Sequence, residues 1–198
     1  NENLQINLPL PNVEKYWWNL NDVYASYVRF EEDDQSISHR IYIFGGMARM
    51  KEMTVDGLAI TMCHEIGHGI GGAPYKNNGS TAEGQSDYFA TKRCLKEVFK
   101  HQPVSLNYNP TAYLDFCEQA EDFTYCLRAM SALESDVAFF KYLGTEVSIQ
   151  DYSTEVATKL NTQDRFYPSA QCRLDTSILG ILGKERPNCW YPGGTTRY

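Results

Sequence analysis

The sequence has no apolar run near the roughly 20 residues that a membrane-crossing helix needs, so no transmembrane segment is expected. It lacks an excess of basic residues: the net charge is −7. Binding phosphate backbones requires a cationic face, so a nucleic-acid partner is not expected. No block of like charge stands out beyond Glu31-Glu32-Asp33-Asp34, which reads as a solvated turn. Internal repeats and low-complexity segments are absent, which argues against a solenoid or a linker-rich chain. No C-x-x-C pair occurs, which removes a cysteine-pair zinc site and a thioredoxin-like redox motif. Strand-like segments are few. Histidine is scarce, with four in 198 residues.

What is present fits one globular unit. A chain of 198 residues can bury a real core, and 42% apolar with 22% charged residues is an ordinary globular composition. A single domain over 1–198 is expected, with an N-terminal lobe over about 1–75 and a C-terminal lobe over about 76–198. The chain begins at Asn1 rather than Met, as expected of either a processed product or a trimmed chain. Cysteine is even in number: Cys63, Cys94, Cys117, Cys126, Cys172 and Cys189. In an oxidising compartment these would make up to three disulfides, and in the cytosol they would be small buried side chains. Export is the favoured reading. Spacing leaves the connectivity open, with Cys172–Cys189 the one suggested pair because Gly and Pro between them let the chain turn back.

Local patterns give a helix-rich α+β fold. Between Val13 and Phe30, apolar residues recur at helical spacing and predict a helix. Arg40-Ile41-Tyr42-Ile43-Phe44, closed by Gly45-Gly46, is the best strand. Thr54 is placed to N-cap a helix from Val55 to about His68, stopped by Gly69, Gly71, Gly72 and Pro74. A loop follows to Thr81, then a second helix from about Ala82 to Phe99. Further helices are expected within Thr111–Tyr142 (as a pair), over Tyr152–Leu160 and over Ser169–Leu182. The small sheet thus precedes the helix that carries His64-Glu65-Ile66-Gly67-His68.

That run carries the chemistry. Residues four apart on a helix share a face one turn apart, so His64 and His68 can bind one ion. Glu65, beside the first of them, is suited to take a proton from an attacking water and pass it to the leaving group. This is the H-E-x-x-H pattern of zinc peptidases. The plain alternative is a helix with two surface histidines. Against it stand the apolar flank Leu58–Cys63, the pairing of two of only four histidines at ligand spacing, and acidic residues at a sensible distance beyond. The longer metzincin pattern fails, because its last histidine position is Pro74. The next acids are Glu83 and Asp87, four apart on the second helix, which the glycine-rich loop lets turn back antiparallel.

Here the sequence resembles the gluzincins, the thermolysin-like clan, in which a Glu in a Glu-x-x-x-Asp run completes the metal site. The resemblance covers about Thr54–Cys94. Its spacer from His68 to Glu83 is shorter than in thermolysin, so the likeness is to the clan. It implies a zincin-like fold and one zinc ion on His64, His68 and Glu83. It also implies that Asp87 bonds the far nitrogen of His64; the swapped assignment, with Asp87 as ligand, stays open. Ile43–Arg49, Gly71–Pro74 and Gln171–Thr176 are similar to runs in exported bacterial zinc peptidases, which implies a cell-envelope, periplasmic or secreted location. The substrate implied is a peptide or protein.

Such a site needs a donor for the developing oxyanion. No histidine follows His101, so Tyr167 and Arg173 are the candidates; Arg173 could equally pair with Asp175 or Asp87. Arg40–Phe44 is a candidate cleft-edge strand for an extended peptide, or an ordinary core strand. His39 and His101 read as surface histidines. Asn78-Gly79-Ser80 fits a glycosylation acceptor, idle in a bacterial protein. A reading from another class is an exported binding or assembly factor on a zincin scaffold, with a structural or shielded metal. A fourth metal position filled by a cysteine, a histidine or a chain terminus would favour it; the cysteine candidate is Cys63, though turned off the ligand face. A zinc hydrolase of cell-wall peptides would use the same residues.

Overall fold

A computed structural model of the chain describes residues 3–102 and 110–196. Helices surround one long central helix, and a small mixed sheet covers one side of it. The fold class is therefore α+β, as expected.

Strand β1 (Asn3–Ile6) runs parallel to β3 (Ile37–Ile43), and β2 (Ala25–Glu31) pairs antiparallel with β3, in the order β1-β3-β2. A short helix α1 (Tyr16–Asn19) precedes β2, and another, α2 (Gly45–Ala48), follows β3. The predicted helix over Val13–Phe30 is thus corrected. Tyr27, Val28 and Phe30 are strand formers, and pairing along the whole of β3 outweighs the helical spacing. Arg40–Ile43 lies in β3, with Phe44 just past its end, but β3 is central and has no free edge. The exposed edge beside the cleft belongs to β2, which corrects the cleft-edge reading of Arg40–Phe44.

Helix α3 (Val55–Ile70) is the centre of the fold. Thr54 caps it, its side chain accepting from Gly57 N, which satisfies one of the orphan N–H groups of the first turn. Leu58, Met62 and Ile66 recur every four residues and pack on Ile41, Ile43 and Met47 from the sheet side. Ile60 and Cys63 point the other way, into the main core with Leu95, Met130, Leu133, Ile178 and Ile181. With two faces buried, the remaining face carries His64 and His68.

The second predicted helix is α4 (Glu83–Phe89), a π-helical turn over Ala90–Cys94, and α5 (Leu95–His101). After a 3₁₀ turn (Pro110–Tyr113) come α6 (Leu114–Cys117), α7 (Phe123–Ala132) and α8 (Glu134–Tyr142), and later α9 (Ala170–Ile181), N-capped by Ser169. The helix expected over Tyr152–Leu160 is absent. Its polar groups bond elsewhere: Ser153 N donates to Asp175, and Ala157 N to Asn188 O. Long-range partners there take the place of a helical ladder.

Three disulfides join Cys63–Cys94, Cys117–Cys126 and Cys172–Cys189. The last is the suggested pair. The first ties α3, next to His64, to the turn after α4.

Candidate metal centre

Helix periodicity sets His64 and His68 one turn apart, with ring centroids 4.7 Å from each other. The loop after α3 returns the chain so that the first residue of α4 reaches both rings. Glu83 Oε2 lies 3.3 Å from His64 Nε2, and Glu83 Oε1 3.5 Å from His68 Nε2. One donor atom from each of His64, His68 and Glu83 lies within 4.8 Å of the others. All three are buried. The close approach depends on Gly67: a Cβ there would sit 3.0 Å from Ser86 Cα and 3.1 Å from Ser86 O.

The far ring nitrogens are also held. Asp87, one turn along α4, places Oδ1 2.7 Å from His64 Nδ1. His68 Nδ1 is 2.8 Å from the Thr81 carbonyl and 3.0 Å from Ser86 Oγ. Such contacts fix ring orientation and leave Nε2 for a ligand. Asp87 in turn accepts from Arg173 Nε at 2.9 Å and Nη2 at 2.8 Å. The donor set therefore closes on Glu83, and Asp87 stands behind His64. Of the two acids proposed for Arg173, Asp87 is the partner; Asp175 instead accepts from Ser153 N and Gln171.

In the metal-free chain the titratable groups of this cluster act strongly on one another. Burial alone would lower the pKa of His64, but the charge and hydrogen bond of Asp87, with Glu83 beyond, raise it to about 10. His68 goes the other way, to about 4, through burial and the charge of His64. Burial would raise Glu83, yet His64 and Arg173 hold it well below the usual carboxylate range. Glu83 Oε2 is buried and, among the described residues, meets no donor in bonding geometry. A buried carboxylate oxygen without a hydrogen bond is costly even beside cationic side chains, and a metal ion would bind it directly. Two imidazoles and a carboxylate also form a zinc-type donor set. The residues present therefore fit a metal ion.

Around this centre is a cleft of about 490 Å³, lined by Glu65, Lys76, Asp136, Tyr167 and Arg173 as well as the donors. Val23 to Tyr27, at and before the start of β2, form one side of it. Glu65 is buried; burial chiefly raises its pKa, with the charges of Glu83 and Asp87 adding to the rise. Tyr167 is 58% exposed at the mouth, and the negative charge of Glu83, then burial, raises its phenol. The structure thus brings all seven expected residues (His64, Glu65, His68, Glu83, Asp87, Tyr167 and Arg173) to one cleft.

Two further cleft residues had no place in the sequence reading. Lys76 is only 9% exposed, and its Nζ donates to Glu83 Oε1 at 2.5 Å. It is the lone charged residue in the loop between Gly69 and Thr81, which is the signal that could have found it. Asp136, in the first turn of α8, reaches the cleft from a segment with no motif. Cys63 is not a ligand, because it is bonded to Cys94. His39 is not a surface histidine: it packs by Gly69, with Nδ1 2.7 Å from Tyr27 OH. Comparison of the chain with protein-family models, with curated proteins and with solved structures finds no match.

Proposed function

We propose that this chain is an exported zinc-dependent metallopeptidase of gluzincin type, hydrolysing peptide bonds. The observation that carries the reading is the unsatisfied Glu83 Oε2, set against His64 and His68 with Glu65 beside them in the same cleft. His64, His68 and Glu83 would hold the zinc ion. Zinc held by such donors polarises a scissile carbonyl and makes water a stronger acid near neutral pH.

The chain's own residues supply the rest. Glu65 takes a proton from the attacking water and later hands it to the leaving amine; its raised pKa brings it nearer the range where a group does both. Asp87 and Arg173 hold the His64 ring so that Nε2 faces Glu83. Tyr167, exposed at the mouth, is the donor for the developing oxyanion. Arg173 has Nε and Nη2 engaged by Asp87, which makes it a positioning residue first. An extended peptide would lie along the free edge of β2 by main-chain hydrogen bonds. Three disulfides support an oxidising compartment such as a bacterial periplasm or the exterior.

The test is metal analysis of the purified protein together with cleavage of a peptide library, with and without a chelator. The reading expects one zinc per chain and cleavage that the chelator abolishes. A zinc-loaded sample that cleaves nothing would instead favour an exported binding or assembly factor.

A further inference from the structure

Helix α8 turns one face to the cleft. Asp136, Phe139, Phe140 and Leu143, at positions i, i+3, i+4 and i+7, all line it, which is the spacing of a single helical stripe. Three of the four are apolar, and the fourth is a carboxylate. Val23 and Met47 also line the cleft, in the apolar cluster that Phe139 packs against.

The other acids of the cleft have assigned counterparts. Glu83 faces the two histidines and Lys76. Asp87 has His64 and both engaged nitrogens of Arg173. Glu65 lies beside His64 and is the base of the proposed reaction. Among the described residues, none donates a hydrogen bond to the Asp136 carboxylate or lies in an ion pair with it, although the charges of Arg173 and then His64 reach it. Burial first, then the negative charge of Asp87, raises its pKa to about 7. A carboxylate at the end of an apolar strip is complementary to a side chain with an aliphatic stem and a cationic head. An apolar side chain placed there would desolvate the carboxylate and give it nothing in return.

We propose that Asp136 and the apolar face of α8 around it form a subsite for a basic side chain, so that the cleft selects peptides carrying lysine or arginine. The stem would pack on Phe139, Phe140 and Leu143, and the head would meet Asp136. The inference rests on the peptidase reading for its place in a reaction, but binding at the subsite requires neither metal nor turnover.

The experiment therefore uses the metal-free protein and titrates it with N-acetyl-arginine amide, N-acetyl-norleucine amide and N-acetyl-glutamate amide. The arginine derivative is expected to bind about tenfold or more tightly than the other two. Asp136→Asn, folded by circular dichroism, should bring arginine and norleucine derivatives to the same affinity. Equal affinities in the unaltered protein, or no binding of the arginine derivative, overturn the proposal, and this arm does not depend on how a variant folds. A parallel library digest with zinc-loaded protein separates the two readings. Cleavage without preference for basic residues overturns the subsite and leaves the peptidase standing. Arginine-selective binding that depends on Asp136, without any cleavage, supports the subsite and sinks the peptidase.

Discussion

Asp87 Oδ1 lies 2.7 Å from His64 Nδ1, on the side of the ring away from Glu83. The same carboxylate takes two hydrogen bonds from Arg173. One side chain from α4 and one from α9 thus set the angle of a histidine on α3. Carboxylates behind metal-binding histidines typically contribute about 10- to 100-fold to metal affinity. Asp87→Ala should lower zinc affinity by about that factor while the fold survives, as read by competition with a chromophoric chelator. Unchanged affinity would remove Asp87 from the site.

Gly67 sits between the two histidines, where α3 and α4 nearly touch. A Cβ there would meet the backbone of Ser86 at 3.0–3.1 Å, and backbone yields less easily than a side-chain tip. Overpacking of this kind costs about 1–3 kcal/mol. Gly67→Ala should lower the melting temperature and weaken zinc binding together, because α4 carries Glu83. A stable variant with normal zinc affinity would show that the helix contact does not set the donor geometry.

Asp56, in the first turn of α3, makes a bidentate pair with Arg128 of α7, both contacts at 2.8 Å and both side chains 8% exposed. Removing one partner of a buried pair leaves the other charge uncompensated, at a cost of about 3–5 kcal/mol. Asp56→Ala is expected to fall in that range by denaturant unfolding. A loss below about 1 kcal/mol would place the pair with ordinary surface bridges.

Much of this centre is legible in the residues themselves. Thr54, the four-residue histidine spacing and the Glu83/Asp87 pair are local signals, and a helix turns each into geometry on its own. The second half of β3, Arg40–Ile43, was visible for the same reason, in a run of β-branched and aromatic residues, while its start at Ile37–His39 was not. What was missed depends on contacts distant in sequence. Val13–Phe30 carries aromatic residues that suit helix or strand, and only pairing with β3 decides between them. Tyr152–Leu160 has a weak apolar pattern, and its backbone is satisfied by Asp175 and Asn188. Lys76 and Asp136 belong to no motif, and the cleft alone brings them to the metal donors.

Asp136 also gives the protein a dependence of stability on pH. Its carboxyl rises from an ordinary 3.8 to about 7 in the folded metal-free chain. A raised folded pKa means that the protonated form is favoured by folding. The stabilisation is complete below about pH 4 and is lost as pH rises through 7. Asp136→Asn does not titrate, so relative to the parent it should gain stability between pH 5 and pH 8, by roughly 2–4 kcal/mol at most. Melting curves of the two proteins across that range check the sign. A difference that does not change with pH contradicts it.

The most direct test of the central claim is the rate of peptide hydrolysis by Glu65→Gln at matched zinc content. Glu65 lines the cleft beside His64 but is not among the metal donors. The variant should therefore keep one zinc per chain while hydrolysis falls by about 10²- to 10⁴-fold. Hydrolysis at the parent rate with zinc in place would contradict the assignment of Glu65 and, with it, the peptidase reading of this cleft.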